Sequence, residues 1–202
     1  MRILIACEES GIVCKAFRDK GHEAYSCDLL PTSGNHPEWH LQMDAFEALK
    51  YMKWDLVIAH PPCTYMSKAG ARWMYPTAGN LSQERLAKGM EAKEFFMAIL
   101  NCGAPKICVE NPQPLKVIGL PKHTQAIQPY QFGEPYSKKT LLWLKGLLLL
   151  RPTNVLTEYV PYLPSNTGGG KRGQKFRYKS ISQKDSSKTF AGIAKAMAKQ
   201  WG

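Results

Sequence analysis

The chain has 202 residues, 44% of them hydrophobic, with a formal net charge of +11. That suits one well-buried domain with at most a small appendage, not an array of large domains. The opening run Met1–Cys7 reads as a strand rather than a charged leader with a long apolar stretch, and the most apolar later run, Thr140 to Leu150, is broken by Lys145, so no signal peptide, no membrane span and a cytoplasmic location are expected.

Six cysteines occur without a C-x-x-C pair, which predicts reduced thiols. The charge is uneven. From Ser165 to Gly202 there are nine Lys/Arg against one acid, Asp185, whereas the rest of the chain carries 18 against 15. A basic tail on a near-neutral body points to a polyanion, most simply nucleic acid; the alternative is a solvated basic surface.

In chain order, Arg2 to Ala6 is a short apolar run of the kind found in buried parallel strands. Gly11 to Lys20 has helical spacing with Ile12 and Ala16 inward, and Gly21 stops it. Glu23 to Cys27 reads as a second strand and Pro31 to Trp39 as loop. Ala45 to Met52 reads as a helix with Asp44 as N-cap. Asp55 to Ala59 is a third strand, followed by a long irregular stretch from His60 to Asn80, of a length that in compact domains points to function. Ser82 to Asn101 is the best helix, with Ser82 as N-cap, and Lys106 to Val109 is a fourth strand. Strand and helix alternate, which predicts an α/β parallel sheet covered on both faces. Beyond Pro112, Ala126 to Gln131 and Thr140 to Lys145 predict an antiparallel hairpin at the sheet edge. Pro161 to Gly173 reads as flexible, and Phe190 to Gln200 as a closing helix.

Ligands of open parallel sheets sit beyond the carboxyl ends of the strands. The four strands end in Cys7-Glu8-Glu9-Ser10-Gly11, in Asp28, in His60-Pro61-Pro62-Cys63 and in Glu110-Asn111-Pro112. Asp28 stands where nucleoside-binding folds place an acid on ribose hydroxyls. The first turn lacks a G-x-G-x-x-G pattern, and Glu8 and Glu9 would repel a pyrophosphate. A nucleoside with a positive sulfonium tolerates those acids, which favours S-adenosylmethionine over NAD or ATP. Taken alone, Glu8 and Glu9 read as exposed loop acids. Cys63 differs from Cys14, Cys27, Cys102 and Cys108, which read as small apolar residues, because Pro61 and Pro62 hold it at the mouth of the sheet. His60 with Cys63 is half of a metal site at most, so no metal is expected.

Here the chain resembles the cytosine-5 DNA methyltransferases. The run Pro61-Pro62-Cys63-Thr64-Tyr65-Met66-Ser67-Lys68-Ala69-Gly70 is similar to their nucleophile motif. Glu110-Asn111 matches their next catalytic pair, and Phe132-Gly133-Glu134-Pro135 ahead of Leu141 a later Gly-x-Pro step. Ala16, Phe17 and Gly21 match an early helix, and Asp44 falls on an adenine-contacting acid. The resemblance covers most of residues 1 to 146.

It implies a Rossmann-like S-adenosylmethionine-dependent methyltransferase sheet, with Cys63 attacking ring carbon 6 of cytosine. Glu110, with its pKa raised by burial, would act as a protonated acid at ring nitrogen 3, and Asn111, Ser67 and Lys138 would complete the catalytic set. The cofactor pocket would be built from Cys7, Glu9, Gly11, Asp28, Leu29, Asp44, His60 and Pro61. The target base would leave its stack, with Lys68 and Arg72 in the loop closing over it. DNA would also be held by Lys171, Arg172, Lys175, Arg177 and Lys179.

The chain departs from the family in Tyr136-Ser137-Lys138-Lys139-Thr140, where the second of two expected arginines is Thr140, and in keeping only Gly11 of a glycine-rich first loop. Only about 40 residues between Gly146 and Asp185 stand where the family inserts a recognition domain. The expected organisation is a catalytic core over 1–146, a short basic segment over 147–186 and a C-terminal helix over 187–202. The expected function is methylation of DNA cytosine at carbon 5 with low sequence specificity. The alternatives are modification of free cytosine nucleotides, transfer of a larger group, or an inactive DNA-binding protein on the same fold.

Overall fold

The computed structural model describes residues 1–77, 79–162 and 188–202. The first half alternates: β1 (Arg2–Ala6), α1 (Ile12–Arg18), β2 (Glu23–Asp28), β3 (His40–Gln42), α2 (Ala45–Tyr51), β4 (Leu56–Ala59), α3 (Ala71–Met74), α4 (Gln83–Leu100) and β5 (Lys106–Pro112). The second half holds β6 (Gln125–Ile127), β7 (Tyr136–Ser137), β8 (Thr140–Lys145), β9 (Val160–Pro161) and α5 (Ala191–Trp201). Seven strands form one sheet in the order β3-β2-β1-β4-β5-β8-β6, and β7 and β9 pair separately. The first five are parallel, and β8 runs antiparallel between β5 and β6.

The central strands are apolar throughout because both faces are covered. Side chains alternate across a strand, so Ile3 and Ile5 of β1 join Leu56 and Ile58 of β4 on the face packed by Val13 and Phe17 of α1 and by Ile193, Met197 and Trp201 of α5. Leu4, Ala6, Val57 and Ala59 face the other way, onto Ala45 and Ala48 of α2 and Phe96 and Ile99 of α4. The predicted caps form. Asp44 Oδ1 accepts from Phe46 N at 2.8 Å, and Ser82 Oγ accepts from Arg85 N at 3.3 Å.

Four elements differ from the sequence reading. β3 follows directly on the predicted loop, in a stretch to which the sequence assigns no element, since three residues carry no apolar run. The predicted strand Ala126 to Gln131 stops at Ile127, because Pro129 has no N–H and begins a 3-10 turn over Pro129–Gln131. β5 runs past Val109 to Pro112, since β8 pairs along its whole length up to Pro112 opposite Thr140. The irregular stretch after His60 contains a 3-10 turn over Lys68–Gly70 and then α3. Among the described residues, no helix is long and apolar enough to cross a membrane.

Candidate active site

β1 pairs with β2 on one side and β4 on the other, so the loops leaving β1 and β4 part above the sheet and open a crevice at its carboxyl edge. The first wall is the β1 loop. Cys7 adopts a left-handed conformation with φ 59°, which turns the chain sharply out of the strand. Gly11 is the αL N-cap of α1 and brings no side chain of its own. Glu8 supplies the missing acceptors, taking Val13 N at 2.6 Å and Cys14 N at 3.2 Å. It is a buried acid, not an exposed one, because its oxygens are needed at those two N–H groups. Burial pushes its pKa up. Glu9 Oε2 accepts from Ser33 N at 3.1 Å, tying this loop to the one after β2.

Asp28 closes β2, and its Oδ1 accepts from Leu30 N at 3.0 Å. Leu29 beside it is 70% exposed. Burial pushes the Cys7 thiol up to about 12, and the charges of Asp28 and Asp44 add to the effect. Two carboxylates from different loops therefore converge on the end of β1. The fit to a cofactor follows from this donor set. Acids at the crevice suit ribose hydroxyls and a sulfonium, while Glu8 already occupies the N–H groups a phosphate would need. Beside this wall a cleft of about 220 Å³ is lined by Ser10, Gly11, Thr32, Ser33, Gly34 and His36, among others.

The second wall comes from β4 and β5. His60 N extends the ladder to Ala6 O at 3.0 Å, and Pro61 and Pro62 then carry the chain to Cys63. The Cys63 carbonyl accepts from Met66 N and Ser67 N at 3.1 and 2.9 Å, closing a tight turn around the thiol. Asn111, buried in β5, donates from Nδ2 to Pro61 O at 3.0 Å. Its neighbour Glu110 points to the opposite side, where Oε2 meets His60 Nδ1 at 3.0 Å. His60 and Glu110 side chains are only 9% and 20% exposed.

Charges in this cluster are coupled. Burial favours a neutral Glu110, yet the hydrogen bond and charge of His60, with Lys138, outweigh it and hold the carboxyl below its usual range. The expectation of a raised Glu110 is therefore corrected: a cationic partner sits against it. Burial likewise opposes a charged His60, but Glu110 and then Glu8 outweigh it and hold the ring's pKa up. Burial and the charge of Glu110 push the Cys63 thiol up, against Lys138 and a hydrogen bond from Ser67. The cluster thus holds a neutral thiol, a carboxylate and an imidazole within mutual electrostatic reach.

The rim is built from the loop after Cys63. Lys68 N donates to Gln113 O at 2.9 Å and Leu115 N to Met66 O at 2.7 Å, stitching the loop to the segment after β5. Arg85 of α4 donates to Thr64 O at 2.9 Å and lies 4.8 Å over the Tyr65 ring. Lys68 and Arg72 are exposed, and the Arg72 guanidinium stacks 4.5 Å over Trp73, which is 56% exposed. On the far side Gly192 N donates to Glu134 Oε1 at 2.9 Å. A Cβ on Gly192 would overlap the Phe132 carbonyl oxygen, so the glycine permits the close approach. This sets Phe190 against Tyr136 and Tyr162, with Lys138 Nζ 5.7 Å from the Tyr162 ring.

The crevice therefore gathers the sequence-predicted Cys7, Asp28 and Asp44 on one side and His60, Pro61, Cys63, Ser67, Glu110, Asn111 and Lys138 on the other. Lys171, Arg172, Lys175, Arg177 and Lys179, the Gly168–Gly170 run and most of the stretch Pro161 to Gly173 lie outside the described residues. Sequence reasoning missed that Glu8 is internal and that His60 pairs with Glu110. The only signal for the second was that both stand at the carboxyl ends of strands.

No family model matches the chain, and no curated protein matches it. Solved structures do match. A DNA modification methyltransferase encoded within an E. coli prophage shares 12% identity at a TM-score of 0.47, covering 77% of this chain and 51% of its own. A triple mutant of Spodoptera frugiperda DNMT2 shares 15% at 0.39, covering 81% and 55%. The S. pombe Dnmt2 methyltransferase shares 16% at 0.39, covering 74% and 51%. The chain spans about half the length of these structures.

Proposed function

We propose that the protein transfers a methyl group from S-adenosylmethionine to carbon 5 of cytosine in DNA, through a covalent bond from Cys63. The observation that carries the reading is the meeting of Cys63, on its Pro-Pro turn, with Glu110 of the adjacent strand at the sheet's carboxyl edge. The order and spacing of the motifs around them support it. When bound, the cofactor supplies an electrophilic methyl group; Asp28 and Asp44 would hold its nucleoside. Cys63 adds to ring carbon 6, which makes carbon 5 nucleophilic. Glu110 faces ring nitrogen 3, where charge develops. Asn111 and Ser67 hold the turn and the thiol. The base reaches this pocket only outside its stack, and Lys68, Arg72 and the tail from Lys171 to Lys179 would hold the backbone.

The deciding experiment is mass spectrometry of nucleosides from DNA incubated with protein and labelled cofactor, beside the same assay on free cytidine nucleotides. Label in 5-methylcytosine from DNA is expected. Label only in free nucleotides would replace the substrate, and label in neither would leave a DNA-binding protein on this fold.

A further inference from the structure

We infer that His60 is the proton source for Glu110, supplying across their 3.0 Å contact the proton that Glu110 delivers to ring nitrogen 3 as Cys63 adds to carbon 6. This rests on the reading of Cys63 and Glu110 given above, but His60 itself touches no reacting atom and acts through Glu110.

A carboxylate paired with a cationic ring has no proton of its own to give, so one must reach it from a neighbour. The groups that face His60 are Glu110 on β5, Glu8 at the end of β1, and Lys138 between β7 and β8. Lys138 also acts on Glu110, but it is His60 that makes the 3.0 Å contact with the carboxylate. His60 is also poised to let its proton go. Its Nε2 is buried without a hydrogen-bond partner among the described residues, so the charged ring carries an unsatisfied N–H, a costly state. Glu8, at the end of β1, and Glu110, on β5, stabilise that state. The imidazolium is therefore favoured at rest and readily discharged once a base engages Glu110.

The step balances. The Cys63 thiol has lost its proton to water, and its sulfur pair forms the bond to carbon 6. The carbon 5–carbon 6 pair shifts toward carbon 4 as the His60 Nδ1–H bond breaks; its proton passes to Glu110, which hands it on to nitrogen 3, leaving a neutral ring and a carboxylate. Carbon 5 would take the methyl group as the methyl–sulfur bond of the donor breaks; it then loses its proton to solvent, and the thiolate departs and regains a proton from water. Nitrogen 3 returns its proton through Glu110 to His60. Both residues end as they began, and one proton, from carbon 5, is released.

The test needs no methyl donor. Addition of Cys63 makes carbon 5 exchange its hydrogen, so deuterium uptake at cytosine in an oligonucleotide duplex is followed in heavy water as pH is varied. General acid assistance contributes roughly 10²–10⁴-fold, so His60→Gln, which keeps a donor toward Glu110 but has no proton to transfer, should exchange about 100-fold more slowly at neutral pH. Below the Cys63 pKa each pH unit adds about tenfold more thiolate, so the wild-type rate should climb with pH and level off where His60 discharges, whereas His60→Gln should keep climbing through that range. NMR titration of the His60 ring, identified by its absence in the variant, should show it losing its charge over the pH range in which the wild-type rate levels off. His60→Gln exchanging like wild type with the same pH profile overturns the proposal, as does a ring that stays neutral wherever exchange proceeds. Should His60→Gln fail to fold, the NMR titration and His60→Asn decide it. A wild type that exchanges at no pH overturns the Cys63 reading, and this proposal with it.

Discussion

Asn111 Nδ2 donates to the Pro61 carbonyl across 3.0 Å, linking β5 to the turn that ends in Cys63. Both groups are removed from water, so Asn111→Ala leaves a carbonyl unsatisfied, at about 1–3 kcal/mol. The turn would also lose its fixed geometry. We expect covalent capture of DNA containing 5-fluorocytosine to slow at least tenfold in this variant, with a matching fall in the urea midpoint. Capture at the wild-type rate would show that Pro61 and Pro62 suffice alone.

Burial and Glu110 hold the Cys63 thiol neutral at pH 7, and Lys138 works the other way. The thiolate is the reactive form. Alkylation of Cys63 by iodoacetamide should therefore be slower than that of glutathione at pH 7 and should climb with pH. Lys138→Met removes the opposing charge and should slow it further, severalfold. Peptide mass spectrometry reads each rate; faster reaction in Lys138→Met would reverse the assigned sign.

Glu8 is a buried acid whose folded pKa lies above the unfolded value near about 4.3. Its protonated form is favoured by folding, so its contribution is greatest at low pH and is lost as pH rises through the folded pKa. Glu8→Gln keeps an acceptor for Val13 N and removes the charge. Wild type should lose stability relative to Glu8→Gln as pH rises from about 4 to 8, in denaturant titrations at each pH. Parallel curves would contradict the linkage. Glu8→Ala loses both acceptors at the start of α1 and should be destabilised by about 1–2 kcal/mol at any pH, the range of a lost cap.

Asp28→Asn and Asp44→Asn should each weaken calorimetric binding of S-adenosylhomocysteine about tenfold, the worth of one or two hydrogen bonds. Asparagine is also a good N-cap, so the Asp44 variant keeps α2 intact. Unchanged affinity in both variants would place the cofactor elsewhere.

Replacing Lys171, Arg172, Lys175, Arg177 and Lys179 by alanine should weaken DNA binding strongly and leave cofactor binding unchanged. The slope of log affinity against log salt should flatten by about 0.9 for each phosphate that is no longer neutralised. An unchanged slope would assign the backbone contacts to Lys68, Arg72 and their neighbours instead.

Most of the sheet was legible because its strands announce themselves locally. Ile3 to Ala6 and Leu56 to Ala59 are unbroken apolar runs, and Asp44 and Ser82 mark helix starts by side-chain chemistry. Legibility ends where structure depends on distant partners. β3 has only Leu41 as an apolar member and exists because β2 offers it a ladder from Ser26 to Asp28. Cys63 and Glu110 could be named from motifs, but their charge states could not. His60 and Glu110 are 50 positions apart, and only the parallel register of β4 against β5 makes them neighbours. The direction of Glu110's shift follows from that meeting, which is why burial alone predicted the wrong sign.

The packing of α5 has a bearing on how the chain is made. Ile193, Met197 and Trp201 cover the same side of the sheet as α1, and Gln200 exchanges two 2.8 Å hydrogen bonds with the backbone of Arg151. During synthesis Ile3, Ile5, Leu56 and Ile58 emerge long before those partners. Until Trp201 clears the ribosome, that side of the nascent sheet stays partly bare, in the range where chaperones bind and premature release invites aggregation. A ribosome stalled shortly before Ala191 would therefore hold a chain with Cys63, Glu110 and the other proposed catalytic side chains already translated and no complete core to fix them in place.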